Sequence, residues 1–174
     1  TESPGQEKPG RRDFPLILVV NAFARILEAL VNPAAFPHPN LSKRWTTALD
    51  WMAEGSREKN DAVALTKIAS SLDVLSCGGK YGGILRMLMH LTGWKETDVI
   101  TTASNPQTLG QVVKDVYDNG RSQILHGTHF DRLKSFATQR GLADFLARIA
   151  LIESASRLAT FSGNDGDKEF RTIL

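Results

Sequence analysis

Apolar side chains recur at spacings of three and four residues along most of this chain, and no segment alternates with a period of two for the length of a strand. The spacing is clearest in residues 15–30, where the apolar positions are Leu16, Val19, Val20, Phe23, Ile26, Leu27 and Leu30. This stripe predicts an amphipathic helix that stops at Asn32-Pro33, because the residue before a proline is pushed out of the helical conformation. We therefore predict an all-α helical bundle.

Two further helices are predicted before residue 76. Ser42 is a suitable N-cap for the second helix, and Gly55 is expected to end it. The third helix is expected over residues 59–75, and the Gly-Gly pair at 78 and 79 is expected to terminate it. A short fourth helix follows, and Gly93 is its predicted C-terminal stop.

The second half of the chain predicts two more helical stretches. Asn105-Pro106 is typical of an N-cap followed by a proline in the first helical position. The apolar stripe that begins at Leu109 weakens at Asn119-Gly120 and resumes at Ile124-Leu125, and Gly127 is expected to end the helix just after His126. The last long helix is expected over residues 138–161.

The length of 174 residues, of which 41% are hydrophobic, is that of one ordinary domain. We expect residues 14–161 to form it. Residues 1–13 contain two prolines, two glycines and no large apolar side chain, which predicts a linker or a disordered segment. Residues 162–174 include Gly-Asn-Asp-Gly-Asp and are expected to be a flexible tail. Because the first residue is Thr1, we expect a processed chain or a fragment of a longer one.

Charge and cysteine content exclude some classes of function. A formal net charge of +2 argues against binding nucleic acid over the whole surface, so any RNA contact needs a local site. The most apolar stretch, residues 14–31, contains Asn21, Arg25 and Glu28 and is too polar to span a membrane. The one cysteine, Cys77, favours a reducing compartment such as the cytoplasm, while a secreted protein without disulfides stays possible.

Two candidate sites, a glycine-rich segment and the set of histidines, have little support in the sequence. Residues 77–83 read Cys-Gly-Gly-Lys-Tyr-Gly-Gly, but they lack the spacing and the preceding strand of a phosphate-binding loop, so a turn between helices is expected. The four histidines show no metal-ligand spacing, and neither a metal nor a cofactor is predicted; they are His38, His90, His126 and His129.

The third candidate is Arg121 with His126. An arginine and a histidine four to six residues apart are expected of metal-independent ribonucleases, in which histidine transfers protons and arginine stabilises the phosphate. On an ideal helix the two side chains point about 140° apart, so they meet one phosphate only if the helix distorts or a two-fold partner contributes. The alternative is structural: Arg121 pairs with an acid such as Asp118, and His126 caps carbonyls or fills a core position.

The context of this pair resembles a known family. Residues 117–127, Tyr-Asp-Asn-Gly-Arg-Ser-Gln-Ile-Leu-His-Gly, are similar to the Y-x-x-R-S-x-I-x-H-G signature of the HEPN superfamily, in particular its Apea-like branch, with one extra residue between Tyr117 and Arg121. Residues 48–51 and 69–75 also resemble helices of that branch, although Asp73 stands where a glutamate is more usual.

The resemblance implies a HEPN-type bundle that forms a homodimer, so that arginine and histidine of two chains share one cleft. It also implies a metal-independent endoribonuclease, of the kind found in antiviral defence or as toxins. Arg121, His126 and Ser122 are the implied catalytic residues, and RNA, with tRNA as one candidate, is the implied substrate. Other domains of a longer chain or an inhibitory partner are further implied partners. The alternative is a HEPN fold that acts as a dimerisation or ligand-binding module without cleavage.

Overall fold

The computed structural model describes residues 16–102, 104–128 and 135–173. Its helices are α1 (Leu16–Val31), α2 (Pro39–Arg57), α3 (Asp61–Leu75), α4 (Lys80–Thr92), α5 (Leu109–Val116), α6 (Gln123–Leu125) and α7 (Ala137–Leu158). Short 3₁₀ helices cover Pro33–Ala35 and Glu169–Arg171, and a π-helix covers Tyr117–Ser122. Within the described ranges the only strand-like pairing is one bridge between Val99 and Thr108, so the all-α prediction is confirmed. The linker predicted over residues 1–13 lies outside these ranges.

Helix α7 is the centre of the bundle, since it contacts each of α1 to α5. Helices α2 and α3 form a hairpin joined by three residues and pack along most of their length. Gly55 makes their close approach possible, because a Cβ atom there would lie 2.5 Å from the Ile68 side chain. The prediction that Gly55 ends α2 is therefore wrong: this glycine lies inside the helix, which continues to Arg57.

The start of α2 also differs from the prediction. The helix begins at Pro39, and Ser42 lies within it as a buried residue whose hydroxyl donates to the carbonyl oxygen of His38. The cap comes instead from a distant residue. The carboxylate of Asp165 accepts hydrogen bonds from the backbone N–H groups of Asn40 and Leu41 at 2.8 and 2.9 Å, which satisfies two donors that the helix itself leaves unpaired.

Helix α5 begins three residues later than predicted. Thr108 is its N-cap and forms a capping box with Gln111, in which each side chain accepts from the other residue's backbone N–H. Asn105-Pro106 instead forms a loop, which is closed by a hydrogen bond from the Ile100 N–H to the Gln107 carbonyl. The capping box satisfies the backbone N–H groups of Thr108 and Gln111. Two possible helix starts therefore compete, and the Asn-Pro pair alone did not show that the start at Thr108 is preferred.

The flexible tail predicted for residues 162–174 is wrong for the part that is described. Phe170 and Ile173 are fully buried and belong to the same core as the helices. The carbonyl oxygen of Ile173 accepts a hydrogen bond from Arg157 at 2.8 Å and lies 2.6 Å from Nε2 of His90. Burial of two such apolar side chains contributes about 1.5–3 kcal/mol each, which favours an ordered rather than a flexible segment.

Candidate active site around Arg121 and His126

The candidate motif begins in a widened helical turn. After α5 the chain continues as the π-helix Tyr117–Ser122, and α6 follows without a break. A π turn closes its hydrogen bond one residue further along the chain than an α turn, and such turns occur frequently at functional sites. Gly120 lies in this turn against α3, where a Cβ atom would come within 2.7 Å of Leu65 Cδ2. The helix was expected to weaken at Asn119-Gly120. It is not broken there but continues through these residues as a π-helix.

The π turn keeps Tyr117 and Arg121 side by side. The Arg121 guanidinium lies 5.1 Å from the centre of the Tyr117 ring, and Nη1 donates to the phenolic oxygen at 3.2 Å. The two residues are four positions apart, a spacing at which side chains are neighbours on one face of a helix.

Arg121 also contacts two polar residues of α3. Its Nε donates to the Ser70 hydroxyl at 3.1 Å, and Nη2 lies 3.5 Å from Oδ2 of Asp73. Both members of the ion pair are mostly buried, with 20% of the arginine side chain and 17% of the aspartate side chain exposed. Asp73 further accepts a hydrogen bond from the Lys80 backbone N–H at the start of α4. The guanidinium is thus held in one orientation by contacts on three of its nitrogen atoms.

These contacts correct the predicted partner of Arg121. The structural alternative paired it with an acid such as Asp118, but the ion pair is made with Asp73. An arginine has five N–H donors, and the contacts with Ser70, Tyr117 and Asp73 use three of them. The other two donors make no hydrogen bond among the described residues, on a side chain whose position is already fixed.

Two tyrosines near the motif have raised pKa values. Burial is the main cause of the raised pKa of Tyr117; the negative charge of Asp73 adds to it, while the charge of Arg121 partly offsets it. Burial also raises the pKa of Tyr81, whose hydroxyl donates to Glu96 at 3.0 Å. Both phenols therefore keep their protons at neutral pH and act as neutral groups beside the ion pair.

His126 lies at the end of α6 and is exposed. Gly127 follows it with a φ of 63°, and the N–H groups of Gly127 and Thr128 donate to the carbonyls of Ile124 and Gln123. These two bonds form a Schellman motif, which ends the helix directly after the histidine, as predicted. The motif fixes the backbone of His126 and leaves its ring at the surface.

The third residue of the motif, Ser122, is half-buried and ends the π-helix. Its carbonyl oxygen accepts the backbone N–H of His126 at 3.0 Å. Among the described residues no hydrogen bond or ion pair joins the side chains of Arg121 and His126. One side chain is held against α3, while the other is exposed at the end of α6.

Sequence reasoning missed that Ser70 and Tyr117 hold the arginine. Ser70 and Asp73 are three residues apart and therefore share one face of α3, whose other inward positions are mainly apolar. A buried polar pair on an apolar face was the one signal in the sequence that could have indicated a partner for a distant charge.

In the glycine-rich segment, residues 77–79 form the predicted turn between α3 and α4, while residues 80–83 are the first turn of α4. An arginine covers the segment. Arg171 donates to the carbonyl oxygens of Ser76 and Cys77 at 2.7 and 3.2 Å. Its guanidinium lies over Gly79 and Gly83, where Cβ atoms would come within 2.6 and 3.3 Å of Nη2. Because Gly79 and Gly83 have no side chains, the guanidinium of Arg171 fits against this segment.

The histidines are dispersed through the fold. Nε2 of His38 lies 2.8 Å from the Gly163 carbonyl oxygen, and His90 contacts Ile173. His129 lies outside the described residues. In the part of the chain that the structure describes, no three histidine, cysteine, aspartate or glutamate side chains lie together as a potential metal site.

Comparison of the chain with protein-family models, with curated proteins and with solved structures finds no match. No helix among the described residues is long and apolar enough to cross a membrane.

Proposed function

We propose that this chain is a metal-independent endoribonuclease domain of the HEPN type, in which His126, Arg121 and Ser122 act on RNA. The main support is the arrangement of the motif: an exposed histidine follows a half-buried arginine whose orientation is fixed and which has two N–H donors that make no hydrogen bond among the described residues. A fixed cation loses little conformational freedom when it binds a phosphate, which favours stabilisation of a transition state.

The proposed reaction uses the nucleophile that RNA itself supplies. The 2′-hydroxyl gives its proton to a base and its oxygen attacks the adjacent phosphorus. The bond from phosphorus to the 5′ oxygen then breaks, and that oxygen takes up a proton. The products are a 2′,3′-cyclic phosphate and a 5′-hydroxyl. His126 transfers the protons, because imidazole does so near neutral pH, and Arg121 stabilises the negative charge on the phosphate oxygens.

A second copy of the chain supplies the remaining groups in this proposal. Arg121 and His126 are not in contact within one chain, and one histidine provides either the proton acceptor or the donor, but not both at once. Two motifs that face each other across a two-fold axis provide two histidines and two arginines. This arrangement concentrates positive charge at one place, so the low net charge of +2 is compatible with local RNA binding.

The test is cleavage of total RNA and of tRNA by the wild type, by His126→Ala and by the control Leu125→Ala. Leu125 is the exposed neighbour of His126 and carries no group that transfers protons. We expect His126→Ala to lose at least about 100-fold in rate while its circular dichroism spectrum is unchanged, and Leu125→Ala to stay active. Wild-type cleavage should persist in EDTA and leave cyclic phosphate ends. Cleavage that survives His126→Ala, or that needs magnesium, would refute the proposal.

A mixing experiment tests the shared site. His126→Ala and Arg121→Ala chains, each inactive alone, are unfolded together, refolded and assayed. If two chains form one cleft, mixed dimers contain one intact arginine and one intact histidine; water makes the second proton transfer slowly, so the mixed dimers regain part of the activity. Absence of any regain, with the wild type recovering under the same treatment, would place the reaction within a single chain.

The contacts of Arg121 also favour a second candidate, a non-catalytic dimerisation or ligand-binding module. Three of its donors are already used inside the fold, as expected of an arginine that stabilises the bundle. This candidate predicts wild-type protein that binds RNA or another ligand without cleaving it, whatever the metal content of the buffer.

A further inference from the structure

Helix α1 is covered by the bundle on one face only. Its buried residues, Ala22, Ile26 and Ala29, face the core, and the helix packs against α2 and α7. Val19 and Phe23 are half-buried, and the other apolar side chains of the helix are exposed, among them Leu27 at 52% and Val31 at 88%. Exposed apolar surface on this scale is unusual for a chain that acts alone and indicates an interaction site.

Five of the exposed apolar positions have the spacing of a coiled coil, and Leu16, Leu18 and Leu30 are exposed beside them. The five are separated by three, four, three and four residues, and they are Ile17, Val20, Ala24, Leu27 and Val31. This is the a and d pattern by which one helix packs against another, with β-branched Ile17 and Val31 at a positions and Leu27 at a d position. Ala24 lies in the middle, where a small side chain allows two helix backbones to approach closely.

The same surface is suited to a second copy of itself. None of the five seam residues is charged, and the nearest charge, Glu28, is at a flanking e position. In a parallel pair an e position faces a g position, which is Phe23 of the other copy, so no like charges are brought together. With Leu16 and Leu30 beside the seam, the exposed area of these residues is on the order of 700 Å²; this is the upper limit of what pairing can bury, and a standard interface buries ~800 Å² on each partner.

We infer that α1 pairs with α1 of a second copy of this chain through the seam from Ile17 to Val31. Helix α1 packs on α2 and α7, whereas the π-helix packs on α3, α4 and α5. The α1 pair therefore leaves Arg121 and His126 uncovered. This interface is separate from the proposed RNA site, and the two inferences stand or fall independently.

The first test is the mass of the particle in solution, measured by light scattering for wild type, Leu27→Asp and the control Val99→Asp. Leu27 and Val99 are both exposed, at 52% and 59%, so neither substitution disturbs the core. We expect Leu27→Asp to halve the number of chains in the particle, while Val99→Asp stays at the wild-type mass. A monomeric wild type, or equal masses for all three proteins, would overturn the inference.

The second test reads the interface directly. Ala24→Cys is made in a Cys77→Ser background, so that residue 24 is the only cysteine. Mild oxidation should link two chains at Ala24→Cys, and adding Leu27→Asp should abolish the link. Circular dichroism checks that each variant is folded. An Ala24→Cys protein that is folded but does not cross-link would exclude pairing at the centre of the seam, even if the chain forms dimers through another surface.

Discussion

Arg121 and Asp73 form a mostly buried ion pair that ties the motif to α3, with Nη2 and Oδ2 separated by 3.5 Å. The same guanidinium donates to Ser70 and Tyr117, so one side chain connects the π-helix to α3 and to its own helical turn. The residue that we propose for phosphate binding is therefore also part of the scaffold. Substitution of Arg121 has consequences for stability as well as for activity.

Arg121→Lys should destabilise the fold by about 1–3 kcal/mol, because an ammonium cannot replace a planar fork that contacts three groups. The matched control is Arg148→Lys, whose arginine pairs with Asp144 on the surface of α7 and is 59% exposed. That change should stay within about 0.5 kcal/mol. Urea unfolding followed by circular dichroism measures both. Equal losses in the two variants would show that the buried contacts of Arg121 do not stabilise the fold.

Gly120→Ala should be destabilising by about 1–3 kcal/mol, because the added Cβ would meet Leu65 at 2.7 Å and the Asp115 carbonyl at 3.1 Å. Gly141→Ala is the control, and its expected effect on stability has the opposite sign. Gly141 lies in α7 with open space around it, so alanine there should stabilise the helix by about 0.5–1 kcal/mol. Thermal unfolding of both variants tests the pair. A neutral Gly120→Ala would mean that α3 and the π-helix are not closely packed at this point.

Tyr117 should make the protein less stable at alkaline pH. Burial, together with the charge of Asp73, raises its pKa above the ordinary value of about 10, so the folded state holds the phenolic proton more tightly than the unfolded chain. The stability that this provides is complete below pH ~10 and is lost as the pH rises towards the folded-state pKa.

Tyr117→Phe removes this titrating group, so its stability should fall less than that of the wild type between pH ~8 and pH ~11. Urea unfolding at both pH values gives the comparison, and Tyr81 titrates in both proteins. Parallel losses in wild type and variant would contradict the assignment.

Phe170→Ala should destabilise the protein by about 3–5 kcal/mol, since the side chain is fully buried in the core. Phe145→Ala removes the same atoms from a side chain that is 41% exposed and should cost clearly less. Chemical unfolding of both variants provides the test. A small loss for Phe170→Ala would return residues 162–173 to the status of a dispensable tail.

The helices were predictable because their signals are local. The spacing of three and four residues located every long helix, and Asn32-Pro33, Gly93 and Gly127 marked ends that the structure confirms. The start of α2 was not predictable in this way, because Asp165 caps it from the far end of the chain. The partners of Arg121 are likewise distant in sequence, and periodicity cannot identify contacts of that kind.

The π turn was hidden for a different reason. The apolar residues of α5 and α6 fit one helical stripe whether the turn between them is α or π, so the hydrophobic pattern does not distinguish the two. Gly120 indicated a weakness in the helix, and the structure places it against Leu65 at the wider turn. Bringing Arg121 and His126 to one phosphate was expected to require either a distorted helix or a two-fold partner. The helix is distorted, but the two side chains do not meet within one chain.

The burial of Phe170 and Ile173 makes the segment after α7 part of the bundle. Without residues 162–173, the space for these two side chains is empty and the N-terminus of α2 has no carboxylate to cap it. The seven helices by themselves therefore enclose an open core. A protein cut back to the end of α7 would expose apolar surface and become a target for chaperones and proteases.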